Sequence, residues 1–206
     1  MDTLDWRDSA CKEYFKQCVD SISSIEADCC DVPRKFSRVV FAAISKLKVL
    51  KQSGGRIFII GNGGSASIAS ETANRFWKFC GLKAHTFNDP AMLTATANDM
   101  GWERVFELPL DTFGQAGDIL IAISSSGESQ NIINAVATAK SKGLAIITLS
   151  GFQSNNRLRQ MGDINFYVPL LTKYAVPSTA YRHTERTHLF ILDCILDIYL
   201  LTKENK

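Results

Sequence analysis

Short runs of apolar residues alternate with stretches of helical periodicity along most of the chain. The apolar runs are Ile57–Ile60, Ala84–Phe87, Asp118–Ile123, Leu144–Leu149 and Ile164–Val168. Continuous rather than alternating apolar strands are typical of a parallel sheet that is covered on both faces. The pattern therefore predicts an α/β fold, a three-layer sandwich around one parallel sheet.

Segments with apolar residues at every third or fourth position flank these runs and predict helices. The first spans residues 5–28, and the next runs from Phe36 to Leu50 and ends at Gly54. A helix over residues 130–142 follows the third apolar run. The closing helix, residues 182–203, is apolar on more than one side, so we expect it to pack against a partner subunit as well as its own sheet.

Composition narrows the class of protein. The 206 residues are 46% apolar and 21% charged with a net charge of +2, which favours one globular domain. We divide it into N-terminal helices (1–54), an α/β core (55–170) and a C-terminal segment with an interface helix (171–206). The charge balance suggests neither nucleic-acid nor membrane partners, and no apolar run approaches the roughly 20 residues of a membrane span. We expect a cytoplasmic protein.

Two loops follow apolar runs and open helices, which is where ligands bind in open α/β sheets. The first contains glycines that allow a ligand close to the backbone, and a serine hydroxyl. The second offers several hydroxyls without lysine or arginine, a set that suits a phosphate at a helix N-terminus. A helix cap with surplus serines is the simpler alternative. The predicted ligand-binding residues are Asn62, Gly63, Gly64 and Ser65 in the first loop and Ser124, Ser125, Ser126 and Ser129 in the second.

Four segments resemble the sugar-isomerase (SIS) domain, and the resemblance covers nearly the whole chain. They are GNGGSASIAS, the stretch Ala91 to Asp99 that closes with NDMG, AISSSGESQNI and ITLSGF. Within the family they are most similar to the phosphoheptose isomerases, which act on sedoheptulose 7-phosphate. The resemblance implies a five-stranded parallel sheet and a homotetramer with active sites at subunit interfaces. It also implies a sugar phosphate held by Ser65, Ser124, Ser126 and Ser129, with Asn62 and Asp99 facing the sugar.

The chain departs from this family at the positions that carry its chemistry. The family usually has a histidine six residues after the motif serine and an acid four residues later. A glutamine and a histidine, eight residues apart on the closing helix, complete a cluster that often holds zinc. In this chain those positions are Glu71, Arg75, Glu185 and Asp193. A guanidinium keeps its proton at all working pH and cannot serve as the carboxylate base.

Two interpretations of this departure remain open. Either the chain lost catalysis and kept phosphosugar binding, or Glu71, Glu185 and Asp193 form a new acid–base site balanced by Arg75. Carboxylates that lie close together raise one another's pKa, which favours acid–base chemistry near neutral pH. A site for a hard cation is a further alternative, although Arg75 counts against it. We predict no metal ligands: the resemblance implies zinc as a cofactor of the family, but this chain does not keep its ligand positions.

The leading hypothesis is a phosphosugar isomerase of the phosphoheptose type. It would interconvert ketose and aldose forms of sedoheptulose 7-phosphate, or a related sugar phosphate, through an enediol. Glu71, Glu185 and Asp193 are the candidate catalytic residues. The resemblance implies a role in heptose synthesis for lipopolysaccharide or capsule. The alternative is an inactive SIS tetramer that acts as a phosphosugar-binding, scaffold or regulatory protein.

Overall fold

A computed structural model gives the fold and describes residues 3–30, 32–170 and 181–204. Residue 31 and the first ten residues of the predicted C-terminal segment, 171–180, lie outside the described residues. The helices are α1 Thr3–Ser23, α2 Phe36–Ser53, α3 Gly64–Arg75, α4 Pro90–Met100, α5 Glu107–Phe113, α6 Gln130–Ser141 and α7 Tyr181–Glu204. The strands are β1 Glu26–Cys29, β2 Val32–Pro33, β3 Arg56–Gly61, β4 Lys83–His85, β5 Ile119–Ser124, β6 Ala145–Phe152 and β7 Ile164–Pro169. A π-helical turn, Phe76–Cys80, and the 3₁₀ turns Trp102–Arg104 and Arg159–Met161 complete the regular elements.

The strands of the described residues form one sheet in the order β2-β1-β7-β6-β5-β3-β4. The five strands from β7 to β4 in this order are mutually parallel. They correspond to the five apolar runs, so the predicted parallel sheet is confirmed. The register pairs Gly61 with Ile123 and Ser124 with Ser150, which aligns the carboxyl ends of the three central strands.

Helices cover both faces of the sheet, which confirms the three-layer sandwich. One core lies between the sheet and helices α2, α3 and α7, and it includes Ile57, Ile59 and Ile121. The other lies between the opposite face and α5 and α6, and it includes Phe58 and Ile60. Successive residues of β3 therefore point into different cores, and both cores are apolar. This is why the central strands are continuous apolar runs.

The expected five strands become seven because the segment between α1 and α2 adds a short antiparallel pair. The predicted first helix ends at Ser23, and Glu26–Cys29 instead pairs with β7 in antiparallel fashion. Buried Asp28 accepts a hydrogen bond of 2.6 Å from Asn165 Nδ2 and lies 3.3 Å from Arg159 Nε. These partners stabilise a polar strand, second from the edge of the sheet, whose sequence shows no apolar run. The prediction that residues 1–54 contain helices alone is therefore wrong at β1 and β2.

A buried histidine links the closing helix to the sheet. His188 on α7 has no exposed surface, and its Nε2 lies 3.0 Å from the carbonyl oxygen of Ser150 at the end of β6. A carbonyl oxygen only accepts, so Nε2 carries the proton. Nδ1 is buried without a hydrogen-bond partner among the described residues. Burial lowers the pKa of His188 to about 4, although its bond to Ser150 opposes the change.

This histidine should make stability depend on pH. Its pKa is lower in the folded chain than the ordinary 6.5, so the unfolded chain takes up the proton first as the pH falls. Its contribution is complete above pH 6.5 and is lost progressively down to pH 4. We expect the free energy of unfolding of the wild type to fall about 2 kcal/mol further between pH 7 and pH 5 than that of His188→Gln. Urea unfolding of both proteins measures this, and parallel pH profiles would contradict it.

Candidate active site

The first predicted loop turns the chain from β3 directly into α3. Gly63 has φ +53 at the N-terminus of α3, a conformation that favours glycine. A Cβ on Gly61 would lie 2.7 Å from the backbone of Ser65, so the turn requires a glycine there as well. Ser65 is 3% exposed and belongs to the first turn of α3. The loop thus places a serine and a helix N-terminus at the carboxyl end of β3.

The second loop joins β5 to α6 and contains hydroxyls bonded to one another. Ser124 Oγ donates to Ser129 Oγ at 3.3 Å and lies 3.5 Å from Ser126 Oγ. The same Ser124 oxygen accepts from the backbone N–H of Gly127 at 3.2 Å. Ser125 Oγ is buried without a hydrogen-bond partner among the described atoms. This set offers several groups that can exchange a mutual bond for one to an anion.

The simpler interpretation of these serines, a helix cap, does not match the geometry. Ser129 stands at the N-cap position of α6, but its side chain makes no capping hydrogen bond to the helix. Its hydroxyl is directed to Ser124 instead. The Ser129 hydroxyl therefore does not cap α6 and is available to a ligand at this loop.

The two loops line one cavity of about 350 Å³. It lies at the N-termini of α3 and α6, and the positive ends of two helix dipoles favour an anion there. Among the described residues its lining contains no lysine or arginine, and Glu185 is its one carboxylate. The lining residues are Asn62, Ser65, Ile123, Ser124, Ser125, Ser126, Ser129, Phe152, Leu170, Tyr181 and Glu185.

Two residues that sequence reasoning missed shape this cavity. Asn131 on α6 is 1% exposed and exchanges two amide hydrogen bonds with Asn62, at 3.0 and 2.9 Å. This pair locks the two loops to each other across 69 residues of chain. Phe152, at the end of β6, lines the cavity with φ +62, which is unusual for a residue with a side chain. The motifs AISSSGESQNI and ITLSGF contain these residues, but their roles depend on contacts that the sequence does not show.

Glu185 is the candidate acid–base residue that the structure places at the cavity. A Cβ on Gly64 would lie 2.8 Å from both of its carboxylate oxygens, so the carboxylate packs directly against the first residue of α3. Burial raises the pKa of Glu185, and the nearby guanidinium groups of Arg186 and Arg182 oppose that shift. A carboxyl group with a raised pKa in a ligand cavity suits proton transfer near neutral pH.

Glu71 and Asp193 lie together, but apart from Glu185. Arg75 on α3 binds both: its Nη2 donates to Glu71 Oε1 and its Nη1 donates to Asp193 Oδ1. The hydrogen bond to Asp193, ahead of every other cause, raises the pKa of Arg75. Neither carboxylate lines the cavity of the serine loops. The expected cluster of three carboxylates is therefore a pair held by a guanidinium, with Glu185 by itself nearer the loops.

These residues do not fit the zinc site that the family resemblance implies. Oxygen atoms of Glu71 and Asp193 are bonded to a permanent cation, which would repel a metal ion at the same place. Within residues 3–30, 32–170 and 181–204 no group of three or more histidine, cysteine, aspartate or glutamate side chains could hold a metal.

Asp99 is one predicted ligand residue that the structure does not bring to the cavity. It is exposed near the end of α4, where its Oδ1 accepts a hydrogen bond of 2.8 Å from Asn98 Nδ2. Gly63 and Gly64 lie in the chain between the cavity residues Asn62 and Ser65, and Gly64 lines a neighbouring cavity beside Glu185. The role of Asp99 remains a prediction.

Comparison with known proteins places the chain in a family. Residues 13–151 match the model of the SIS domain. The chain belongs to the SIS domain family. The phosphoheptose isomerase of Sulfurimonas denitrificans is 33% identical over 196 residues, 91% of this chain and 94% of that protein. That of Thiobacillus denitrificans is 35% identical over 150 residues, 70% of this chain and 73% of that protein.

The solved structures agree with this SIS assignment. Phosphoheptose isomerase from Neisseria gonorrhoeae superimposes with a TM-score of 0.77 at 25% identity, covering 96% of this chain and 98% of that one. The corresponding enzyme from Francisella tularensis has a TM-score of 0.73 at 25% identity, covering 97% and 98%. In the described part of this SIS chain no helix has the length and apolar character to cross a membrane.

Substitution of a glycine in the second loop tests the backbone geometry of that loop. Gly127 has φ +67, and a Cβ there would lie 2.0 Å from Asn156 Oδ1. Asn156 is fixed by hydrogen bonds to Ser150 Oγ and to the carbonyl oxygens of Gly151 and Gln153. Gly127→Ala should therefore lower the free energy of unfolding by about 1 kcal/mol, because alanine disfavours the left-handed conformation. Steric strain should lower it by about 1–3 kcal/mol more.

Gly117→Ala is the matched control, because Gly117 has φ +89 but a Cβ there meets nothing within 4 Å. Chemical denaturation of both variants separates strain in the backbone from the clash with Asn156. Equal losses of stability would contradict the described packing of the loop.

Proposed function

We propose that this SIS chain is a phosphosugar isomerase of the phosphoheptose type, with sedoheptulose 7-phosphate or a related sugar phosphate as substrate. The observation that carries the proposal is the cavity in which two helix N-termini and the serine hydroxyls converge. Such a site recognises a phosphate through dipoles and hydroxyls rather than through a side-chain cation. The relatives that align with nearly the whole chain are named phosphoheptose isomerase, which favours an enzyme over the binding or scaffold alternative.

In this proposal the serine loops hold the phosphate. Ser65, Ser124, Ser126 and Ser129 donate hydroxyls, and the backbone of Gly63 and Gly64 approaches the anion closely. The unpartnered hydroxyl of Ser125 is a further donor at the cavity. Asn62, oriented by its amide bonds to Asn131, contacts hydroxyls of the sugar.

Glu185 is the residue that we propose moves the proton. As a carboxylate it removes a proton from C1 of the ketose, and the electron pair forms the enediolate with its charge on O2. Return of the proton to C2, with transfer of the hydroxyl proton from O1 to O2, gives the aldose. Its raised pKa keeps the conjugate acid available for the second step. The other two candidates, Glu71 and Asp193, are both hydrogen-bonded to Arg75 and contribute to the site through its guanidinium.

We propose that the protein is a homotetramer whose active sites include residues of a neighbouring subunit. Large apolar side chains are exposed along α1, where Trp6 is 64% and Phe15 is 67% exposed. On α7, Phe190 is 51% exposed. Such surfaces mark subunit contacts. We also propose that Asp99, which does not line the cavity of its own chain, contacts the sugar in the site of a neighbouring subunit. The proposed role is cytoplasmic, in the synthesis of heptose for surface glycans.

Deuterium incorporation tests the proposed activity. With sedoheptulose 7-phosphate in deuterated water, NMR should show an aldose product carrying deuterium at C2. Glu185→Gln should lower this rate about 100-fold or more, because the amide cannot accept the proton. Asp197→Asn, a carboxyl-to-amide change at an exposed position of the same helix, should leave it unchanged.

Binding of the sugar phosphate without exchange in the wild type would contradict the proposed activity and favour the scaffold alternative. Exchange that survives Glu185→Gln would leave the isomerase intact but would show that another residue moves the proton.

A further inference from the structure

Two arginines line the small cavity that adjoins the serine cavity. This cavity has a volume of about 260 Å³, and its lining residues are Gly64, Ile68, Arg182, Glu185, Arg186 and Leu189. Glu185 lines the serine cavity as well, so the two cavities meet at this residue. A ligand that extends from the serine loops to Glu185 therefore reaches the border of the space that the arginines line.

The spacing along α7 places both arginines close to the Glu185 carboxylate. Arg182 lies three residues before Glu185, and residues at this spacing are neighbours on a helix surface, with Cβ atoms about 5–6 Å apart. Arg186 directly follows Glu185 and lies one turn beyond Arg182. Burial raises the pKa of Glu185, and the charges of Arg186 and then Arg182 oppose this rise. Both positive charges therefore act where the proton is transferred.

Both guanidinium groups keep N–H donors for a ligand. Unlike Arg75 and Arg159, which each bridge two carboxylates, Arg182 and Arg186 take part in none of the ion pairs of residues 3–30, 32–170 and 181–204. Arg186 lies over the ring of Tyr14, 5.7 Å from its centroid. Such a contact engages the face of the guanidinium and leaves the N–H groups at its edge available.

The stability of α7 does not account for a cation at position 182. The described part of this helix begins at Tyr181, and its first turn contains no acidic residue. The positive end of a helix dipole disfavours a cation at this end of the helix. Gly64, the first residue of α3, brings a second helix N-terminus to the same cavity. A negative charge that develops at this cavity would offset the electrostatic cost.

We propose that Arg182 and Arg186 are catalytic residues that donate hydrogen bonds to the oxygens of the reacting carbons and stabilise the enediolate. The inference rests on the proposed isomerase function. It adds the source of positive charge in a site whose carboxylates do not fit the zinc ion that the family resemblance implies. The serine loops hold the phosphate at C7, so C1 and C2, at the opposite end of the sugar, lie beside Glu185 and next to the two arginines.

The positive charges act in the step that removes the proton. Glu185 takes the proton from C1, the electron pair of that bond forms the double bond between C1 and C2, and the carbonyl pair moves to O2. The guanidinium groups keep their own protons throughout and donate hydrogen bonds to O1 and O2. Fixed donors aimed at a charge that develops in the transition state lower the barrier. The step consumes no oxidant, reductant or other co-reactant.

Removal of the guanidinium groups tests the inference. Both side chains are exposed, so solvent weakens their effect. Arg182→Gln and Arg186→Gln should each lower kcat for deuterium exchange about 10-fold, and the double variant about 100-fold, with little change in KM. Arg182→Lys, which keeps the charge, should retain more activity than Arg182→Gln.

Arg56→Gln is the matched control. Arg56 is the first residue of β3, at the end of the strand opposite the serine loop, and its Nη1 donates to the carbonyl oxygen of Phe113 at 3.3 Å. This variant should keep the wild-type kcat and KM. Thermal unfolding of every variant shows whether it is folded.

Ligand binding separates stabilisation of the enediolate from recognition of the phosphate. Inorganic phosphate should bind the wild type and the double variant with the same Kd in isothermal titration calorimetry, because the serine loops hold it. A phosphorylated sugar hydroxamate, whose paired oxygens mimic the enediolate, should bind the double variant about 100-fold more weakly, in proportion to the loss of kcat/KM.

The outcomes distinguish this inference from the proposed function. A double variant with the wild-type kcat would overturn the inference, and so would variants in which KM and the Kd of phosphate rise while kcat is unchanged, because the arginines would then bind the phosphate. Loss of wild-type exchange with a chelator, restored by Zn²⁺, would overturn it too. In each case the isomerase function stands. If the wild type neither isomerises nor exchanges, with or without added metal, the proposed function fails and this inference fails with it.

Discussion

The parallel register of β3 and β5 is the constraint on which the site depends. Pairing of Gly61 with Ile123 brings the carboxyl ends of both strands to the same edge. A short loop and then a helix follow each of the two strands. The N-termini of α3 and α6 consequently lie side by side, and the reciprocal amide bonds of Asn62 and Asn131 hold them there. A shift of one residue in this register would reverse the faces of β3 and separate the serine loops. Both the buried cores and the anion-binding edge follow from this one alignment.

A second geometric relation, the side-by-side packing of α3 and α7, extends the site away from the phosphate loops. His188 fixes α7 against the end of β6, and this places Glu185 beside the first residue of α3. The next turns bring Asp193 to Arg75. Glu185 is thereby held beside the serine loops, while Glu71, Arg75 and Asp193 form a separate ion-paired cluster between the same two helices.

Much of the fold could be predicted from the sequence because both faces of the central strands are buried, which leaves continuous apolar runs. The strand Glu26–Cys29 could not, since its stability comes from Asp28 bonded to residues more than 130 positions away. The serine loops were predictable from local composition, and the structure does gather their side chains at one cavity. The separation of Glu185 from Glu71 and Asp193 was not, because it depends on how two helices pack.

A crystal structure of the protein with sedoheptulose 7-phosphate bound tests the central claim most directly. The account predicts the phosphate within hydrogen-bond distance of the Ser65, Ser124 and Ser129 hydroxyls. It also predicts that C1 of the sugar lies within reach of the Glu185 carboxylate. A phosphate bound elsewhere, or a C1 out of reach of Glu185, would contradict it.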